Sequence, residues 1–206
     1  MTDKNQKDKF AEIVSSRDYI RVELGCGPLK QNPDSIGIDL LPLPGVDFVH
    51  NIENGLDFIA DNSVDEISSS HFLEHLVNFE LVMKEIHRVL KNNGIHKVTV
   101  PHFSNPHYYS DFTHKRFFGL YTFDYFSKQK DQDLKRKVPD FYINFFFKVT
   151  RRDLVFIRYF SMRNVITYCL AMPLFNSSNY MKELYENKFC YIFPCKELYF
   201  EMKAIK

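Results

Sequence analysis

Arg21 to Leu40 reads RVELGCGPLKQNPDSIGIDL. An apolar run ending at Leu24 carries one acid, Glu23, and breaks into Gly25-Cys26-Gly27; a second apolar run resumes at Ile36 and ends in Asp39. Glycines directly after a strand let the backbone approach a ligand closely, because no Cβ intervenes and positive φ is allowed. A carboxylate at the end of the next strand can accept hydrogen bonds from both hydroxyls of a ribose. Together these features predict a nucleoside held over the carboxyl ends of parallel strands. A dinucleotide fingerprint requires Gly-x-Gly-x-x-Gly, and the third glycine's place is taken by Lys30. The loop also lacks the helix start that holds a pyrophosphate. A nicotinamide oxidoreductase is therefore disfavoured, and the expected ligand is a nucleoside without a diphosphate.

Outward from this stretch, short apolar runs alternate with longer mixed segments, the pattern of parallel α/β chains. Strands are predicted at Tyr19–Leu24, Ser35–Leu40, Val46–His50 and Val64–Ser69. A helical apolar period runs over Leu73–Leu90, and Asn92-Asn93-Gly94 is expected to cap its end. Ile95–Val100 reads as the fifth strand, closed by Pro101. Tyr142–Thr150 and Leu198–Ile205 read as two further strands, with helix expected between them in Phe160–Asn187. No repeat or linker divides the chain, so a single domain over 1–206 is expected. Segment 1–18 would be its cover, and 101–130 and 160–194 the walls of the substrate site.

The chain has 206 residues, 45% hydrophobic and 26% charged, with a net charge of +1. That is ordinary globular composition, and the charge argues against a protein built to neutralise nucleic-acid backbones. Four cysteines without a Cys-x-x-Cys pair suggest reduced thiols. The first residues are polar without a signal-peptide core, and the apolar stretch around Val165–Phe175 is too short for a membrane span. A soluble cytoplasmic protein with no membrane span and no nucleic-acid partner is the expectation; the oligomeric state is left open.

In its motifs the chain resembles the class I S-adenosylmethionine-dependent methyltransferases, in particular small ones often encoded beside polysaccharide genes. The resemblance runs from about Tyr19 to Tyr125 and rests on VELGCGP, the acid of GIDL, DNSVDEISSSHFLEHL, HRVLKNNGIHKVTVP and SDFTHKRFFG. It implies a doubly wound, mostly parallel α/β sheet of Rossmann-like type, with a lid built from the loop after the fifth strand and the segment between the last two strands. It implies S-adenosylmethionine as cofactor: Gly25, Cys26 and Gly27 along the methionine part, Glu23 orienting that end, Asp39 on the ribose, and Leu40 against the adenine. Asn51 and Ile52 would meet the adenine amine and ring, and Ser70 and His71 would close the near side. The implied activity is methyl transfer to a small polar acceptor, with a hydroxyl of a sugar or phosphorylated metabolite as first choice. A non-catalytic nucleoside-binding or scaffolding protein on the same fold is the alternative.

The chain departs from that pattern at three places. Asn51 stands where the family usually has Asp; its amide oxygen can still accept from an amine. Lys91-Asn92-Asn93-Gly94 replaces a Lys-Pro-Gly-Gly turn. Only eight residues, Pro28–Ser35, separate Gly27 from Ile36, whereas a parallel crossover takes about a dozen or more. The usual first helix is therefore expected to be nearly absent, with Phe10–Ser16 covering the gap.

Cys26 reads as a packing residue, since no base is near it in sequence. His71 and His75 of HFLEH fall four apart, on one face of a helix. With no third or fourth ligand apparent, no metal is expected, and His71 is read as lining the site while His75 packs. The stretch Pro101–Gly119, PHFSNPHYYSDFTHKRFFG, follows the fifth strand and so emerges at the ligand edge. A hydroxyl acceptor gains from a base titrating near neutrality, which imidazole supplies. His114 is the first candidate base, with Asp111 three residues earlier to orient it, and His102 the second. His107, Tyr108, Tyr109 and Arg116 are the candidate substrate contacts, Arg116 suiting a phosphate or carboxylate.

Overall fold

The computed structural model describes residues 3–156 and 170–206. Helix α1 (Asp3–Ser15) precedes strands β1 (Arg21–Leu24), β2 (Ile36–Asp39), β3 (Phe48–Val49) and β4 (Val64–Ser70). Helix α2 (Phe79–Val89) leads into β5 (Leu90–Pro101), and the C-terminal part supplies β6 (Phe146–Phe156), α3 (Met172–Asn176), α4 (Asn179–Leu184) and β7 (Cys195–Ile205). The strands form one sheet in the order β3-β2-β1-β4-β5-β7-β6. The first five pair in parallel, and β7 runs antiparallel between β5 and β6. The chain leaves β1 toward β2 on one side and returns as β4 on the other. That reversal opens a crevice at the carboxyl ends of β1 and β4, where ligands bind in such sheets.

Alternation along the strands sorts the two faces. Val22, Leu24, Ile36, Ile38, Ile67, Val98, Val100, Leu198, Phe200 and Met202 are all at most 1% exposed and share one face. Val82, Met83, Ile86 and Val89 of α2 are buried with them in the core, each burial contributing roughly 1.5–3 kcal/mol. Glu53 caps this helix from outside, accepting from Val77 N and Asn78 N. The opposite face carries charge instead. Lys97 and Arg21 both reach Glu66, and Arg151 reaches Asp153 and Glu201. Such partly solvated pairs each contribute about 1 kcal/mol or less; their value here is to keep half-covered strands polar.

The elements around the sheet follow the expectations in part. Residues 10–15 of the segment Phe10–Ser16 are helical as part of α1. Its Phe10 ring packs edge-on against Phe48 and Phe58, and Gln6 and Lys9 bond Val49 O and Asp47 O, so α1 lies on the edge strand β3. The short crossover has no helix and closes on itself. Glu23, 3% exposed, accepts from Gln31 N and Asn32 N, and Lys30 Nζ bonds Ser35 O and Asp47. The long helix expected over Leu73–Leu90 is divided. Leu73–His75 is a single 3-10 turn, and α2 begins at Phe79.

The Asn92-Asn93-Gly94 turn lies inside β5 rather than capping a helix. Val64 pairs with Leu90 and Glu66 with Ile95, so the residues between bulge out of the ladder. Asn93 takes the positive φ, +63°, which Asn tolerates. Gly94 is required by proximity, because a Cβ there would sit 2.9 Å from Lys91 O. The helix expected within Phe160–Asn187 is present as α3 and α4; positions 157–169 lie outside the described residues. Asn176 of α3 binds the edge strand like another strand, accepting from Leu154 N and donating to Leu154 O, both at 2.8 Å.

Two buried polar features give the fold its sensitivity. Arg152 on β6 and Asp124, 2% and 1% exposed, form a two-pronged pair at 3.0 and 2.9 Å; Arg152 also donates to Leu120 O and Asp133. His96 on β5 is fully buried, bonded to Ser69 Oγ at 3.2 Å, and burial drives it down to about 3. An unfolded histidine titrates near 6.5. The neutral ring's contribution is thus complete above about 6.5 and is lost as the pH falls toward 3. Wild-type protein is expected to lose about 2 kcal/mol from this group between pH 6.5 and 5. Urea unfolding at the two pH values checks it: His96→Gln should show a shallower decline, and an unchanged decline would assign the acid sensitivity elsewhere.

Candidate functional site

The turns after β1, β2, β3 and β4 and the loop after β5 emerge at the carboxyl edge of the parallel strands. Gly25 and Gly27 both take the left-handed region, at φ +64° and +58°. Gly25 must be glycine twice over, since a Cβ would lie 2.6 Å from the Phe72 ring. At Gly27 a Cβ would meet nothing within 4 Å, so the backbone there borders open space of the kind a close-lying ligand needs. Asp39 stands beside it, its Oδ2 accepting from Gly27 N and its Oδ1 from Leu41 N, both at 3.0 Å. Each oxygen retains a lone pair for a further donor. Leu40 is 61% exposed next to it, an apolar flank at the same edge.

The remaining predicted cofactor residues divide. Cys26 is buried, its Sγ 3.7 Å from Gly45 O, and burial pushes the thiol up to about 11, as suits a packing residue. Glu23 commits its carboxylate to the crossover amides, so in this structure it anchors the loop. Asn51 is exposed and its Oδ1 accepts from Glu53 N, whereas Ile52 is only 4% exposed and packs in the core. Ser70 is half-buried at the end of β4. His71 follows it at φ +51°, its Nε2 3.0 Å from Glu197 and its Nδ1 3.3 Å from Glu74. The hydrogen bond to Glu197 and then that to Glu74 hold this imidazole up to about 9. It is therefore a cation at neutral pH.

The loop after β5 folds back onto the turn after β4. Lys115 N and Arg116 N donate to Glu74 O, and Arg116 donates from Nε to Leu76 O and from its guanidinium to Val77 O. Arg116 thus ties the two turns together while lining a cleft of about 470 Å³ with Phe79 and Lys84. Tyr108 is 4% exposed and its hydroxyl donates to Arg116 O; Tyr109, 62% exposed, donates to Phe103 O. His107 is exposed.

The two candidate bases differ sharply. His114 Nδ1 lies 3.0 Å from Tyr108 O, a bond in which only the ring nitrogen can donate. The neutral ring then carries its lone pair on Nε2, 3.5 Å from Asp111 Oδ2. His102 is fully buried and its Nδ1 accepts from Ser104 N at 3.0 Å. That leaves its proton on Nε2, 3.4 Å from Glu186, with no lone pair free. His102 is therefore placed as a structural histidine.

His71 and His75 do not share a helical face as expected, because Leu73–His75 is a 3-10 turn and His71 lies outside it at positive φ. His71 goes to Glu74 and Glu197, while Glu74, His75 and His114 come together, with one ligand atom of each within 4.8 Å of the others. Glu74, Glu197 and Thr113 were not legible as site residues. Only the position of Glu74 beside His75 in HFLEH hinted at it.

Residues 22–98 match the family model described as a methyltransferase domain. The comparison with curated proteins gives no match. Among solved structures, a SAM-dependent methyltransferase from Archaeoglobus fulgidus superposes with a TM-score of 0.55 at 16% identity, over 98% of this chain and 94% of that one. A methyltransferase from Haloferax volcanii, solved with the Trm112 activator, gives 0.54 at 14%, over 99% and 94%. A SAM-dependent methyltransferase from Thermotoga maritima, described as a possible histamine N-methyltransferase, gives 0.52 at 15%, over 97% and 91%. These likenesses show the Rossmann-like class I fold. No helix among the described residues is long and apolar enough to cross a membrane.

Proposed function

We propose that this chain is an S-adenosylmethionine-dependent methyltransferase and that it methylates a hydroxyl of a small polar acceptor such as a sugar or phosphorylated metabolite. The observation that supports this reading is the docking of the loop after β5, which carries His114, Tyr109 and Arg116, against the turn after β4, whose Phe72 ring lies against Gly25. The bound cofactor supplies an electrophilic methyl group on a sulfonium. Gly25 and Gly27 would border its methionine part, Asp39 its ribose hydroxyls, and Leu40 with Asn51 its adenine. Open space at Gly27 and the lone pairs left on Asp39 fit that group.

Around the acceptor, this chain's residues would orient the hydroxyl and remove its proton. His114 is the proposed base, through Nε2, with Asp111 beside it to stabilise the ring as it charges. Arg116 and the exposed His107 and Tyr109 would hold an acidic or hydroxylated acceptor. The whole chain would act as one domain, with 101–130 and 160–194 as its substrate walls. The test is product formation: purified protein, S-adenosylmethionine and a panel of sugars, sugar nucleotides and sugar phosphates, with S-adenosylhomocysteine release and acceptor mass as readouts. The reading expects a gain of one methyl on oxygen. Methylation confined to amines would overturn the hydroxyl assignment.

Asp39→Ala should weaken S-adenosylmethionine binding by about 1.5–3 kcal/mol, the range for lost hydrogen bonds to a charged group. Calorimetric titration beside circular dichroism checks it. Affinity equal to wild type would remove Asp39 from the ribose site.

A further inference from the structure

We infer that Glu74, His75 and His114 form a binding site for one divalent transition-metal cation of the zinc type. Their ligand atoms converge to within 4.8 Å of one another. A tetrahedral zinc with bonds of about 2.0–2.2 Å holds its ligand atoms roughly 3.3–3.6 Å apart. Small rotations of the two half-buried rings would close the difference.

The second observation is the carboxylate. Glu74 is fully buried, and among the described residues its Oε1 reaches only His71, at 3.3 Å, and its Oε2 has no partner. A buried carboxylate oxygen without a donor is costly, and a cation between the two rings would satisfy it. The tautomers point the same way. His114 Nδ1 donates to Tyr108 O, leaving Nε2 as the free lone pair. Thr113 Oγ1 lies 2.9 Å from His75 Nδ1 and 2.5 Å from Asp111 Oδ1. Its hydroxyl proton goes to the carboxylate, so Thr113 accepts from His75 Nδ1 and the lone pair of that ring is also on Nε2. Metal-binding histidines commonly donate their second ring nitrogen to a carboxylate, a backbone carbonyl or water; Tyr108 O plays that part for His114, and Thr113, itself bonded to Asp111, takes the place for His75.

Two imidazoles and one carboxylate suit zinc, cobalt or nickel better than calcium or magnesium, which take oxygen ligands. Three protein ligands leave a fourth position open. A ring lone pair serves a proton or a cation, so a loaded site replaces the free-base role proposed for His114. Metal binding itself needs neither acceptor nor cofactor and stands apart from that proposal.

The test uses full-length protein without a histidine tag, stripped with chelator and titrated with Co²⁺ at pH 7.5, then with Zn²⁺. One equivalent of Co²⁺ with the visible absorption of a low-coordinate site, displaced by one Zn²⁺, is expected. Glu74→Gln and His114→Ala should each weaken binding by about 100-fold or more, while His107→Ala, outside the cluster, keeps wild-type affinity. If a ligand variant fails to fold, the wild-type melting temperature with and without Zn²⁺ decides, since a ligand bound to the folded state raises it. Absence of stoichiometric uptake by wild type, or uptake unchanged in both ligand variants, would overturn the site.

Discussion

Arg152→Ala is expected to lower the free energy of unfolding by about 3–5 kcal/mol, the cost of leaving one member of a buried ion pair alone. Asp124 is 1% exposed and takes both prongs of the guanidinium; without them its charge has lost both hydrogen bonds that this arginine supplies. The same guanidinium reaches Leu120 O and Asp133, so the segment downstream of the acceptor loop would loosen from β6 as well. Urea denaturation measures the loss. The double variant Arg152→Met, Asp124→Leu is expected to recover much of it, because an apolar pair of similar volume needs no desolvation of charge. A single-variant loss below about 1 kcal/mol would mean that water reaches this pair.

His114→Ala should lower turnover by about 10²–10⁴-fold, the usual contribution of a positioned general base. The ring's Nδ1 is held by Tyr108 O, which fixes the lone pair on Nε2 and leaves that atom as the proton acceptor. S-adenosylmethionine binding should stay near wild type, since Asp39 and the glycine loop lie on other turns. His102→Ala should act differently: a fully buried ring bonded to Ser104 is lost, so stability falls. Steady-state rates on the identified acceptor, with cofactor binding measured in parallel, separate the two. If His114→Ala retains more than about a tenth of wild-type turnover, the ring is no base.

The strands were legible because apolar alternation and glycine breaks report burial directly. Val22, Leu24, Ile36 and Ile38 all point into the core at the positions their spacing implies. The glycine loop was legible for a similar reason: only residues free to take positive φ can make that turn. What escaped was long-range pairing. Nothing near Arg152 in sequence names Asp124, 28 residues away, and nothing near His71 names Glu197, 126 residues away. The division of the predicted helix escaped because a 3-10 turn and a helical turn share apolar spacing over four residues. That one difference moved His75 away from His71 and toward His114. The β5 bulge at Asn93 escaped because a capping turn and a bulge both call for a residue that tolerates positive φ.

The proposed function requires the turns after β1 and β2 to form an S-adenosylmethionine site. Calorimetric titration of wild-type protein with S-adenosylhomocysteine tests it most directly, because product binding needs no knowledge of the acceptor. One site per chain is expected, weakened in Asp39→Ala and unaffected by NAD. No heat and no thermal shift with S-adenosylhomocysteine at millimolar concentration, or binding of a dinucleotide in its place, would contradict it.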